Sequence, residues 1–236
     1  MTDTLPYLLE NHAKANPDAI AIIDRGRIHS FSELAGSSRR LAQGLRSAGI
    51  RAGDRVAFWL PNTAAYIALH FACARLGAIT VSVNTRFRAA EVSDIVSRVD
   101  CKSMILWPTF KEIPFLEILR SIDATALAKI ETLILYSEGE GAPLMPRGLG
   151  GKKTFSAEEL DASAELTDDV SRPEDGTVIF TTSGTTAKPK FVLHSQGSIS
   201  RHARDVATFF EWEAEGVVIL QALPLCGTFG HSQAMG

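Results

Sequence analysis

Short apolar runs and amphipathic stretches alternate along the first 136 residues. The segments at 19–23 (AIAII), 55–60 (RVAFWL), 78–83 (AITVSV), 103–107 (SMILW) and 132–136 (TLILY) each read as strands. They are nearly continuous apolar runs rather than alternating ones, as expected where helices cover both faces of a parallel sheet. Between them, helical periodicity covers 5–15, which stops before Pro17, then 64–76, 89–99 and 113–122. A turn is expected at Asp24 to Arg27. Ser30-Phe31-Ser32-Glu33 has the spacing of a capping box, in which Ser30 accepts from the N3 amide and Glu33 reaches back. The helix it opens keeps Leu34, Leu41 and Leu45 on one face and ends at Gly49, a good residue just past a helix.

Residues 137–175 are rich in glycine, proline, serine and acidic side chains and read as a surface excursion with a short helix near 156–161. Beyond it, TVIF (177–180) reads as a buried strand, FVLH (191–194) as another, 198–210 as a helix and VVILQAL (217–223) as a further strand. The final LCGTFGHSQAMG reads as a loop entering a helix. The fold class is α/β, with mostly parallel sheets covered by helices.

Composition narrows the function only by exclusion. Hydrophobic residues make up 45% and charged residues 22% of the chain, an ordinary soluble balance. A net charge of −3 with interspersed signs argues against a nucleic-acid surface. Cys73, Cys101 and Cys226 lie far apart with no disulfide or metal spacing. The N-terminus lacks a secretory pattern, and the most apolar window is interrupted by Pro61, Asn62, His70 and Arg75. A cytoplasmic location is the expectation. Trp59, Phe71 and Trp107 are expected in the core. His194 beside Ser195 has no evident third partner for a catalytic triad, and His194 with His202 lacks zinc spacing.

Candidate chemistry concentrates in FTTSGTTAKPK (180–190), where hydroxyls and two lysines surround one glycine between two apolar strands. Gly184 lets backbone amides approach an anion closely, and such turns form anion-binding concavities. A polar surface hairpin is the alternative reading. No G-x-x-x-x-G-K-[ST] or G-x-G-x-x-G pattern occurs, so the two commonest nucleotide motifs are absent.

The stretch TTSGTTAKPKFVLHSQ resembles the signature of the adenylate-forming, or AMP-binding, superfamily, which includes acyl-CoA synthetases, luciferases and peptide-synthetase adenylation domains. Thr182, Ser183, Gly184, Thr185, Thr186, Pro189, Lys190 and Val192 stand where that pattern expects them. FSELAGSSRRLAQGLRSAGIRAGDRVAFWLPN, LGAITVSVNTRFRAAEV and QALPLCGTFG are similar to further family segments in the same order. The resemblance implies the first part of the family's large N-terminal domain. Within it, 1–136 is the helix/strand alternation, 137–175 the surface excursion and 176–236 the phosphate-loop region.

The activity so implied is ATP-dependent activation of a carboxylic acid, fatty or aryl, to an acyl-adenylate, followed by transfer to coenzyme A. It also implies Mg²⁺. Thr182, Ser183, Gly184, Thr185, Thr186, Lys188 and Lys190 would hold the ATP phosphates. Gly227, Phe229, Gly230 and His231 would border the acyl pocket, with contact to the acyl group and simple solvation both open for His231. Three departures stand out: Ala187 and Phe191 replace usual glycines, and Gly227 replaces a frequent histidine. The family's adenine-cradling segment, ribose-binding aspartate and small C-terminal domain with its catalytic lysine do not occur in these 236 residues. No catalytic residue is therefore assigned here, and these residues alone are expected to be inactive. A non-catalytic binding or structural remnant and a peptide-synthetase-type domain are the alternatives. Partners are expected to be the small-molecule acid, ATP and CoA, with no transmembrane segment; peripheral membrane contact stays open.

Overall fold

A computed structural model describes residues 3–138, 151–182, 189–212, 214 and 216–236. The opening helix α1 (Leu5–Ala15) is capped by Thr4, whose side chain accepts from the Tyr7 amide. Next comes a hairpin of β1 (Ile20–Asp24) and β2 (Arg27–Ser30). The sequence reading has only a turn where β2 begins. The pattern misses this strand because Arg25 and Gly26 both take positive φ, 50° and 82°, closing a two-residue turn of the kind that matches strand twist. The expected capping box forms: Ser30 Oγ accepts from Glu33 N at 3.2 Å, and Ser30 N donates to Glu33 Oε2 at 2.8 Å. It starts α2 (Phe31–Ser47).

The main body runs β3 (Arg55–Trp59), α3 (Ala64–Arg75), β4 (Ile79–Ser82), α4 (Ala89–Arg98), β5 (Ser103–Leu106), a 3₁₀ turn at Phe110–Glu112, α5 (Phe115–Ser121) and β6 (Thr132–Leu135). Then follow β7 (Lys153–Ser156), α6 (Ala157–Asp161), β8 (Gly176–Thr182), β9 (Lys190–Ser195), α7 (Gln196–Phe209) and α8 (Thr228–Met235). Seven strands form one sheet in the order β7-β6-β5-β3-β4-β8-β9, parallel except for the antiparallel β8–β9 pair. Alternate residues of β3 feed opposite cores. Val56 and Phe58 pack with α1, α2, α3 and α7, while Ala57 and Trp59 pack with α4 and α5. Trp59, Phe71 and Trp107 are all buried.

Two further elements differ from the sequence reading. The excursion contributes β7, a short strand with no apolar run; it forms because β6 offers an open parallel edge, with Lys153 N donating to Glu131 O at 2.9 Å. Conversely, 217–223 is not a strand. Among the described residues no strand pairs with it, and a β-prone run without a ladder partner stays irregular. Val218 and Leu220 lie 79% and 82% exposed. Its end is pinned by Asn62, which donates to Leu223 O and accepts from Leu225 N, both at 2.8 Å. No helix among the described residues is long and apolar enough to cross a membrane.

Candidate active site

The antiparallel register of β8 and β9 sets Thr182 directly opposite Lys190, so the hydroxyl-rich loop springs from a ladder held at both ends. Thr182 is half-buried and Lys190 exposed. Ser183, Gly184, Thr185, Thr186 and Lys188, like Ala187, lie outside the described residues. The stem carries a cation that sequence reasoning did not single out. Arg98, at the end of α4, donates from Nη1 to Pro189 O at 3.2 Å and pairs with Asp94 at 2.8 Å. Its guanidinium sits 4.6 Å from the Phe191 ring centroid. The aromatic side chain that departs from the family's glycine thus seats an arginine at the foot of the loop. Phe191 itself was the only sequence signal for this contact.

Below the stem, on the side of the sheet that carries α7 and α8, is a cavity of about 320 Å³ that mixes apolar side chains with histidines and the hydroxyl residues Ser198, Thr228 and Ser232. Phe180 of β8 and His194 of β9 form its floor; Ile199, Ala203, His231 and Met235 contribute from the helices. His231 is not solvated: it is 1% exposed, with its ring edge-on to Phe180 at 5.2 Å and to His70 at 4.8 Å. His231 Nε2 lies 3.1 Å from His70 Nε2, and His70 Nδ1 lies 2.9 Å from Thr80 Oγ1. Burial depresses the His70 pKa to about 4. Burial, with the neighbouring His70, His194 and His202, holds His231 well below the ordinary histidine value. Both rings are therefore neutral near pH 7.

The other residues near α8 take distinct positions. Gly227 precedes the helix, and its amide donates to Pro224 O at 2.9 Å. Gly230 packs so tightly that a Cβ would stand 2.1 Å from Pro224 O. Phe229 is 83% exposed and does not line the cavity. His202 Nε2 lies 2.7 Å from Ser232 Oγ. Ser195 caps α7 by accepting from Ser198 N at 3.2 Å, so its hydroxyl is already engaged. Burial pushes the Cys73 and Cys101 thiols up to about 12 and Cys226 to about 11, which leaves none of them poised as a thiolate. Among the described residues no group of three or more His, Cys, Asp or Glu is placed to hold a metal ion.

A larger cavity of about 660 Å³ lies under the β1–β2 hairpin, lined by Arg25, Arg27, His29, Glu33, Arg40 and Glu158 among others. Its size does not make it the better site. Arg25 pairs with Glu138 and Arg40 with Asp161, so much of its charge is self-neutralised, and its lining includes neither the β8–β9 stem nor α8.

Comparison with known proteins follows the same lines. The family model described as AMP-binding enzyme matches residues 9–236. YngI of Bacillus subtilis (strain 168), named as an acyl-CoA synthetase, is 29% identical over 217 residues, covering 86% of this chain and 39% of YngI. The medium-chain acyl-CoA ligase ACSF2 of Rattus norvegicus mitochondria is 35% identical over 123 residues, covering 52% of this chain and 20% of its own. The chain therefore spans less than half the length of either relative. Among solved structures, the inhibitor-bound N-terminal domain of FACL13 from Mycobacterium tuberculosis superposes with a TM-score of 0.76 at 24% identity, covering 100% of this chain and 54% of that one. At that identity the likeness establishes the fold.

Proposed function

Because this chain belongs to the family of AMP-binding enzymes, we propose that it carries the phosphate-binding and acyl-binding part of an ATP-dependent acyl-CoA ligase. The observation that carries the reading is one of position. Thr182 and Lys190 frame the loop stem, and Phe180, two residues earlier on β8, floors the apolar cavity. At the rise of a strand those points lie about 7 Å apart, close enough for one bound acid to reach both. An acid whose apolar part fills the cavity would present its carboxylate toward phosphates held at the loop.

The chemistry then follows. The carboxylate oxygen attacks the α-phosphorus of ATP, the α–β bridging bond breaks, and pyrophosphate leaves with the bonding pair. Negative charge grows on that leaving group. Amides and hydroxyls of Thr182, Ser183, Gly184, Thr185 and Thr186, with the ammonium groups of Lys188 and Lys190, would stabilise it by preorganised donation. A thiol such as that of coenzyme A would then displace AMP to give the thioester. The described residues offer no group of three or more His, Cys, Asp or Glu to hold Mg²⁺, so the ion would be held mainly by the phosphates themselves. The acid is fatty or aryl, in keeping with Phe180, Ile199, Ala203 and Met235 in the cavity lining.

The test uses Lys190→Ala in the full chain, with ATP binding followed by calorimetry, and in the whole enzyme, with pyrophosphate release from ATP and a medium-chain acid. ATP affinity and pyrophosphate release should both fall roughly tenfold, the loss of one charge-assisted contact. Unchanged binding and release, or a chain that binds no ATP at all, would overturn the assignment.

A further inference from the structure

Phe191, the aromatic residue that stands in place of a usual glycine, has no part in the chemistry above. The Arg98 guanidinium lies 4.6 Å from its ring centroid. Arg98 Nη1 has two hydrogens and two acceptors, Asp94 Oδ2 at 2.8 Å and Pro189 O at 3.2 Å. Pro189 lies one residue before β9 and has no N–H to add to the ladder, so the last rung of the stem is Thr182 opposite Lys190. Among the described residues, Arg98 is the group that meets the Pro189 carbonyl. The arginine is itself held in place. It is the last residue of α4, whose Val92, Ile95 and Val96 are buried in the core, and Asp94 pairs with it from one turn back.

Resting on the phosphate-loop reading above, we propose that Arg98 is a positioning residue that clamps Pro189 to α4 and so fixes the point from which Lys190 projects. It acts on the protein rather than on the nucleotide, because Asp94 offsets its charge and Nη1 is spent on Asp94 and on a neutral carbonyl. The guanidinium suits this task, since its plane stacks on a ring while one nitrogen serves two acceptors. Glycine at position 191 would leave that plane without a seat. With the clamp, the Pro189–Lys190 end of the stem is ordered before ATP arrives, so binding does not have to freeze it out. The gain falls on ATP binding and not on the displacement at phosphorus, because bound phosphates order the stem with or without the clamp.

The experiment measures ATP binding to the full chain by calorimetry and pyrophosphate release by the whole enzyme, with thermal melts on every variant. Arg98→Met keeps an apolar stem on the ring but has no donor. It should raise Kd and KM for ATP roughly fivefold, the worth of one net hydrogen bond, and leave kcat within about twofold. Phe191→Leu should weaken ATP binding in the unaltered chain and add nothing further to Arg98→Met, because the ring acts through the arginine. Arg98→Lys keeps the charge without the planar group and should recover less than half of the lost affinity. ATP affinity within about twofold of the unaltered chain in Arg98→Met, additive losses in the double variant, full recovery by Arg98→Lys, or a fall in kcat at unchanged KM would each sink the inference. The phosphate-loop reading then still stands if Lys190→Ala weakens ATP binding. If the unaltered chain binds no ATP, both fall.

Discussion

Arg75 and Glu10, 65 residues apart in the chain, meet at 2.5 Å and join α3 to α1. Arg75 is 1% exposed, and its other two nitrogens donate to Asp169 at 2.8 Å and Ser38 at 3.0 Å. Glu10 also receives Arg39 Nη1 at 2.6 Å. A buried guanidinium is tolerated in this core because each of its nitrogens has a partner, two of them carboxylates.

This arrangement predicts a definite acid response. Burial alone would raise the Glu10 pKa, but the hydrogen bonds from Arg39 and Arg75 outweigh it and hold the carboxyl below its ordinary 4.5. A carboxyl with a depressed folded-state pKa contributes stability that is fully present above the unfolded value and is lost as pH falls through the folded one. Stability from this group should therefore be constant above about pH 5 and decline in more acidic solution. Glu10→Gln should flatten that decline. It should also cost about 1–3 kcal/mol at pH 7, because a hydrogen bond to a charged group is lost while Arg75 stays buried. Urea melts of both proteins across pH give the comparison.

Phe191 offers a test of the loop stem. Phe191→Leu removes the ring beneath Arg98 while keeping an apolar side chain against the core, and should cost about 0.5–1 kcal/mol, the range for a partly exposed cation–π contact. Freed of its seat, Arg98 should hold Pro189 O less tightly, so ATP affinity should fall severalfold more than stability alone accounts for. Thermal melts and ATP titration on the same variant separate the two effects.

At α8, two glycines should behave oppositely. Gly230→Ala would set a Cβ 2.1 Å from Pro224 O and 2.8 Å from Leu223 O, both rigid backbone atoms. Overpacking of that kind costs about 1–3 kcal/mol and should push α8 off the cavity. Gly227→Ala meets the same carbonyl at 3.4 Å, an ordinary contact, and Gly227 has φ −105°. Its stability should change by no more than about 0.5 kcal/mol. Equal losses at the two positions in denaturant unfolding would contradict the packing.

Ser30→Ala removes the hydroxyl that accepts from Glu33 N and should lower stability by about 1 kcal/mol. Ser30→Asp, which keeps a cap acceptor, should recover most of it. Chemical denaturation of the two variants is sufficient to check this.

The features legible in the sequence share a short range. The Ser30 and Glu33 cap was readable from spacing, because both of its hydrogen bonds close within one turn. The strands from Arg55 to Leu135 were readable because a parallel strand covered on both faces must be apolar throughout. The strands that flank residues 183–188 were readable as the apolar runs at 177–180 and 191–194. The strand at Lys153–Ser156 had no such mark, since its existence depends on the open edge of β6. The apolar run at 217–223 carried the mark of a strand but met no ladder.

The site divides in the same way. Local order alone determined the spans of most helices and the Ser30 cap, because those rest on interactions between residues a few positions apart, while the central strands were marked by their continuous apolar runs. Tertiary structure decided that Phe191 supports Arg98, that Arg75 is sealed between Glu10 and Asp169, and that His231 is buried against His70, 161 residues away. Those contacts follow from which strands lie side by side and which helices cover them. No local periodicity carries that information, because each contact is fixed by packing across the whole core.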